Sequence, residues 1–144
     1  MKGNMTTLSK ALYTAAQTRE LDRLAIAAGT PGAELMARAG QAAFDTLCER
    51  WPEARQIVVL CGGGNNGGDG YVVARLAHAA GLAPQIHFTT PPETLKGDAL
   101  TMAERCRDAG IPMTPLTLDR LPEGMDLLVD GLLGTGLSGA LRDE

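Results

Sequence analysis

The sequence predicts an α/β fold built on a parallel, doubly wound sheet, and three observations predict it. Short apolar runs alternate with longer segments of helical periodicity: Ile57-Val58-Val59-Leu60, Gln85-Ile86-His87-Phe88 and Leu127-Leu128-Val129 are the clearest. Such alternation is the mark of strand–helix–strand units. The first run leads straight into Cys61-Gly62-Gly63-Gly64-Asn65-Asn66-Gly67-Gly68-Asp69-Gly70. The last leads through Asp130 into Gly131-Leu132-Leu133-Gly134-Thr135-Gly136-Leu137-Ser138-Gly139. In the Rossmann order 3-2-1-4 the strands before these loops are neighbours, and ligands bind in the crevice between their carboxyl ends. Two glycine clusters distant in sequence thereby converge on one crevice.

The elements follow in order. Thr14 and Gln17 have capping-box spacing. Leu21, Leu24, Ala25 and Ala28 then mark the inward face of a helix that Gly29 and Pro31 end. A second helix is expected from about Ala33 to Arg50, with Met36, Ala39, Ala43 and Leu47 inward and Gly40 permitting a close helix contact. Strand one is Ile57 to Cys61. The next helix is expected from about Tyr71 to Ala80, with Val73, Leu76, Ala77 and Ala80 inward and Gly81 closing it. Strand two is Gln85 to Phe88. A helix from about Glu93 to Ala109 carries the stripe Leu95, Ala99, Met102, Cys106 and Ala109. Strand three is expected near Met113 to Leu116, and Leu127 to Asp130 is strand four. The whole reads as a three-layer, Rossmann-like domain, residues 1–144, with two helices ahead of the sheet. A glycine loop after a strand normally opens a helix, and none remains to be opened, so the domain is expected to be incomplete at its C-terminus.

Composition sets bounds. The chain has 144 residues, 44% of them hydrophobic, which suits one domain with its own core. The net charge of −4 without a basic stripe argues against nucleic-acid binding. There is no apolar stretch of membrane-spanning length and no targeting segment at the start. Cys48, Cys61 and Cys106 show no CxxC spacing and read as reduced thiols of a cytoplasmic protein.

The glycine loop after strand one carries the chemistry. Six glycines between positions 62 and 70 would let the backbone take positive φ and lie against a ligand, at a helix N-terminus that attracts phosphate. Gly62, Gly64 and Gly67 satisfy G-x-G-x-x-G, but the end of strand two is His87-Phe88-Thr89-Thr90. It lacks the acid that would hold the ribose in ordinary NAD binding. Gly68-Asp69-Gly70 is not the Gly-Lys-Ser/Thr ending of a Walker loop. Asn65, Asn66 and Asp69 exceed what a turn requires and point to a polar ligand or a cation. Asp130 ends an apolar strand; it either caps the following turn or joins the site. Asp69 and Asp130 in proximity would repel by roughly 4 kcal/mol at 4 Å and an effective dielectric of about 20, a strain that a cation or a raised pKa relieves. Cys61 reads as a small buried residue, His87 as packing, and His78 and Arg75 as surface.

Gly63-Gly64-Asn65-Asn66-Gly67-Gly68-Asp69-Gly70 and Val129-Asp130-Gly131-Leu132-Leu133-Gly134-Thr135-Gly136-Leu137 closely resemble the NAD(P)H-hydrate epimerase family, the YjeF N-terminal domain. Arg19-x-x-Asp22, Gly29 and Leu35-Met36-x-Arg38-Ala39-Gly40 resemble its opening helices. The resemblance implies an isomerase that epimerises the hydrated cofactors NADHX and NADPHX. It implies substrate binding by Asn65, Asn66, Gly67, Gly68 and Asp69, and by Gly134, Thr135, Gly136, Leu137, Ser138, Gly139 and Ala140. Asn66 and Asp130 would ligate a potassium ion, which takes oxygen ligands in place of hydration water. Asp69 is one candidate catalytic acid or base, and the Asp of a later Asp-x-Pro-Ser-Gly strand end that the family carries is another. The family's later Asp-x-Pro-Ser-Gly strand end lies past Glu144. A homodimer and a fused ADP- or ATP-dependent dehydratase domain are partners that the resemblance allows. Two other classes compete. A non-catalytic nucleotide- or partner-binding module of the same fold predicts a degraded loop and a basic surface; an NAD-dependent oxidoreductase predicts the missing acid.

Overall fold

A computed structural model describes residues 11–136. Its order is α1 (Ala15–Ala27), α2 (Gly32–Arg50), β1 (Gln56–Cys61), α3 (Asn65–Ala79), β2 (Ala83–Phe88), α4 (Gly97–Asp108), β3 (Met113–Pro115) and β4 (Leu127–Gly131), with 3₁₀ turns at Pro92–Thr94 and Leu118–Arg120. The four strands are all parallel and lie in the order β3-β2-β1-β4, as the alternation and the loops led us to expect.

β1 sits between two partners, and this explains its composition. Ile57, Val58, Val59, Leu60 and Cys61 are all buried, the continuous apolar run that a central parallel strand needs when both faces are covered. Ile57, Val59 and Cys61 join one core cluster with Met36, Phe44 and Leu47 of α2, Tyr71, Val73 and Ala77 of α3, and Met102 and Cys106 of α4. Each Ile, Val, Leu, Phe or Met side chain among them contributes about 1.5–3 kcal/mol by leaving water. Asp126 locks the start of β4 to the start of β1: its carboxylate accepts from the Arg55 and Gln56 amides at 2.7 and 2.8 Å. Those two bonds hold its carboxyl below the usual range, the Gln56 amide having the larger effect.

Several expectations shift, each for a physical reason. α1 forms with the full Thr14–Gln17 capping box, yet none of its residues is buried; Leu21 and Leu24 are both 49% exposed, since α1 packs only sparsely, mainly against α2. In α2 the buried face is Met36, Gly40, Phe44 and Leu47, whereas Ala39 and Ala43 are exposed. Phe44 is buried on this face, and Gly40 permits the close approach to α3: a Cβ there would collide with Val72 and lie 3.2 Å from the Asp69 carbonyl. α3 starts at Asn65, six residues before the expected Tyr71, so most of the glycine loop is its first turns. It is buried nearly all round, from Gly67 to Ala77, between β1, α2 and α4. Ala80, expected inward, is an exposed C-cap, and Gly81 follows with φ of 79°. α4 starts only at Gly97 because Pro91 and Pro92 direct the chain into a 3₁₀ turn first. His87, only 3% exposed, packs in the sheet with its Nδ1 3.3 Å from Thr114 Oγ1.

Candidate active site

None of the glycines between 62 and 70 has a positive φ. They are required for closeness instead. A Cβ on Gly62 would strike the Leu132 carbonyl, and one on Gly67 would strike the Gly62 carbonyl. A Cβ on Gly68 would lie 2.5 Å from Met36 Sδ, and one on Gly63 would lie 2.6 Å from Thr90 Oγ1. α3 is thereby pressed onto the end of β1 and onto the loop after β4. Gly64 is the contrast. It is the N-cap of α3, has no side-chain cap, and nothing lies within 4 Å of its missing Cβ. The amides of the first turn behind it have no side-chain cap, the usual situation at an anion-binding helix end.

The two glycine clusters meet as expected. Gly62 N donates to Gly131 O at 3.0 Å, and Asn66 Nδ2 donates to Leu133 O at 2.9 Å. Gly131 has no room for a side chain, with Leu60 O at 2.8 Å and Asn66 O at 3.0 Å from the Cβ position. The sheet register sets Leu60 beside Asp130 and Cys61 beside Gly131, so both loops leave the same edge at the same height.

Between them is a cavity of about 550 Å³ lined by Gly63, Gly64, Asn65, Asn66, Asp69, Leu132, Leu133, Gly134, Thr135 and Gly136 from the loops, and by Thr18, Arg19 and Asp22 from α1. Its size falls in the range of about 300–1,000 Å³ for small-molecule sites. Of the residues singled out in the sequence, Asn65, Asn66, Asp69, Gly134, Thr135 and Gly136 line it. Gly67 and Gly68 are buried beneath it. Leu137, Ser138, Gly139 and Ala140 lie outside the described residues.

Asp130 is not among the lining residues. Its Oδ1 accepts from Leu132 N at 3.0 Å, the turn-capping arrangement. Cys61 is fully buried, and burial pushes its thiol far up, with Cys106 adding to it; it is packing, as read.

The α1 wall was missed in reading the residues alone, although a signal existed. Thr18 and Asp22 are four apart and Arg19 and Asp22 three apart, a polar stripe on one side of a helix. Asp22 also supplies the like charge acting on Asp69, rather than Asp130. The half-buried Asp69 carboxyl is pushed up to about 6, mainly by desolvation and secondarily by Asp22. A smaller cavity of about 180 Å³ adjoins, lined by Asp22, Asp69 and Asp98 together with Ile26, Gly32, Leu35, Met36, Ala39 and Asn65. Asp69 thus stands where two cavities meet, as a carboxyl that changes protonation close to neutral pH.

The sequence profile of the family described as "YjeF-related protein N-terminus" matches residues 32–144. A bifunctional NAD(P)H-hydrate repair enzyme Nnr of Coxiella burnetii is 47% identical over 131 residues, which are 91% of this chain and 27% of that protein. An NAD(P)H-hydrate epimerase of Rhodobacter capsulatus is 38% identical over 138 residues, 90% of this chain and 65% of that protein. The chain thus spans about a quarter of the first relative and just under two thirds of the second. The crystal structure of yeast ynu0 superposes with a TM-score of 0.80 over 92% of this chain and 60% of the yeast one, at 21% identity, a likeness of fold.

Proposed function

The chain belongs to the YjeF-related protein N-terminus family, that of the NAD(P)H-hydrate epimerases, and on that premise we propose that it interconverts the R and S forms of hydrated NADH and NADPH in the repair of nicotinamide cofactors. The observation that carries the proposal is the single cavity at the carboxyl ends of β1 and β4, where the Asn65–Asp69 turn, the Gly134–Gly136 loop and a carboxyl titrating near 6 come together. Epimerisation needs proton transfer at a carbon bearing a hydroxyl and bonded to the ring nitrogen. Protonated Asp69 gives its proton to the hydroxyl. The C–O bond breaks, the nitrogen lone pair forms an iminium, and water leaves. Water then adds to the opposite face and loses a proton to a carboxylate. Among the described residues, Asp69 and Asp22 are the two carboxyl groups lining the cavity, and a pKa near the working pH lets one group serve as acid and as base. The diphosphate is held at the uncapped amides after Gly64.

Potassium is the cofactor we assign, held by Asn66 and Asp130. The donor chemistry fits. Asn66 uses its amide N–H on Leu133 O, which leaves its carbonyl oxygen, and Asp130 uses one carboxylate oxygen on Leu132 N, which leaves the other. A bound monovalent cation supplies positive charge beside the carboxylate and fixes the spacing of the loops. In the chain as it stands, Asp130→Ala is expected to abolish any potassium dependence of substrate binding, and titrating potassium chloride against sodium chloride measures it. A normal potassium response in that variant returns Asp130 to the role of turn cap alone.

Further proposals accompany this reading. No helix among the described residues is long and apolar enough to cross a membrane, and the three free cysteines support a cytoplasmic setting. The exposed Leu21 and Leu24 of α1 support a homodimer, and the bifunctional name of the Coxiella relative supports a fused dehydratase in the full-length protein. The test of function is direct. Each purified epimer is incubated with the protein and its approach to the equilibrium mixture is followed by chromatography. A rate no faster than the spontaneous one leaves a binding module without catalysis.

A further inference from the structure

We propose that Arg19 is the phosphate clamp of this site, a cation on α1 that closes over the diphosphate of a bound dinucleotide from the side opposite the α3 amides. The dinucleotide identity of the ligand rests on the cofactor-repair reading; the clamp itself rests on geometry. Among the described residues lining the main cavity, Arg19 is the one Lys or Arg. Two carboxylates, Asp22 and Asp69, line it as well, yet no carboxylate lies within ion-pair distance of the Arg19 guanidinium among the described residues. The surface ion pairs there are Arg23–Glu20, Arg38–Glu34 and Arg107–Glu104. Arg23, one turn along the same helix, is thus neutralised, with both Glu20 oxygens within 2.8 Å, and Arg19 is not.

What Arg19 does touch is informative. One Nη1–H reaches across to the Thr135 carbonyl at 3.5 Å, a long bond at the edge of hydrogen-bond range. That contact aims the guanidinium over the mouth of the cavity, toward the second glycine loop. A guanidinium carries five N–H donors, so four remain to make the forked contacts with phosphate oxygens for which this group is suited. The element that carries it is free to adjust. α1 has no buried residue, and its C-terminal end turns at Gly29 with φ of 104° and nothing within 4 Å of the Cβ position. A ligand with two phosphates would exchange the weak Thr135 contact for charge-assisted bonds and draw α1 onto the site.

The test compares ADP with adenosine as probes, binding each to the full chain by calorimetry at low salt. The wild-type chain is expected to bind ADP more tightly than adenosine. Arg19→Gln should erase about 10- to 100-fold of that advantage, the value of a charged hydrogen bond, and flatten the dependence of ADP affinity on salt. Arg19→Lys should restore part of it, since charge returns without the fork. Arg23→Gln, outside the cavity, should leave both affinities unchanged. The clamp is overturned if Arg19→Gln binds ADP as tightly as wild type, if it loses adenosine and ADP equally, or if phosphate adds nothing to wild-type affinity. Binding through Arg19 by a chain that does not interconvert the epimers would uphold the clamp and sink the epimerase reading. Epimerisation with an unchanged KM in Arg19→Gln would do the reverse.

Discussion

Asp69→Asn is expected to lower the rate of epimer interconversion by about 10²- to 10⁴-fold, the usual contribution of a positioned acid–base group, with a much smaller effect on KM. Asparagine keeps the shape and the hydrogen-bonding capacity while removing the proton. The same variant reports on the electrostatics of the fold. The Asp69 carboxyl is raised to about 6 by desolvation and by Asp22, above its ordinary value of about 4. Its contribution to stability is therefore fully present below pH of about 4 and is lost as pH rises through about 6. Asn escapes that loss. Thermal melts from pH 4 to pH 7.5 should show Asp69→Asn gaining on wild type as pH rises, with the gap closing at the acid end. Parallel curves would mean that Asp69 is not desolvated, and the acid–base assignment would fall with it.

Gly67→Ala is expected to have one of the two largest effects on stability among single-methyl additions to the glycine loop, with Gly62→Ala the other. The new Cβ would strike the Gly62 carbonyl oxygen, with the Gly62 carbon and nitrogen at 2.8 and 2.9 Å. All three are backbone atoms of the turn between β1 and α3, and none can rotate aside. Overpacking of this kind costs about 1–3 kcal/mol and more when backbone must move, so the melting temperature should fall by roughly 4–15 °C. Gly64→Ala is the counterpart, since open space surrounds its Cβ position. It should melt close to wild type and instead weaken ligand binding, because the methyl enters the cavity. A Gly67→Ala protein as stable as wild type would show that the α3–β1 approach is looser than the structure describes.

The sheet was legible because its central strand obeys a simple rule. Ile57 to Cys61 is apolar throughout since both faces are covered, and the punctuation around it is glycine and proline. The pairing of the two glycine loops was legible from topology alone. What the residues concealed depends on neighbours that sequence patterns do not encode. Periodicity gave α1 an apolar stripe, but a stripe says nothing of whether a partner covers it, and Leu21 and Leu24 remain exposed. Glycines looked like devices for positive φ, whereas Gly62 and Gly67 serve by giving up volume to carbonyl groups, and for Gly62 the requirement is visible only once Leu132, 70 positions away, is beside it. Asp22 was noticed as part of a family pattern, and its action on Asp69 belongs to the third dimension. Asp126 holding two amides of β1 was silent for the same reason.

The pairing of β1 with β4 spans a separation of 70 positions, as in the bond from Gln56 N to Asp126, while β2 and β3 are joined to their neighbours through short helical crossovers. On a ribosome β1, α3, β2, α4 and β3 emerge before β4 and can assemble from nearby contacts. β4 arrives after them, and long-range pairing is the slow part of folding. Until it docks, one edge of an entirely apolar strand waits unpaired, a state prone to association with other nascent chains. The wall of the cavity made by Leu132 to Gly136 arrives with the same strand. Docking of β4 onto β1 and closure of this side of the cavity are therefore a single kinetic event.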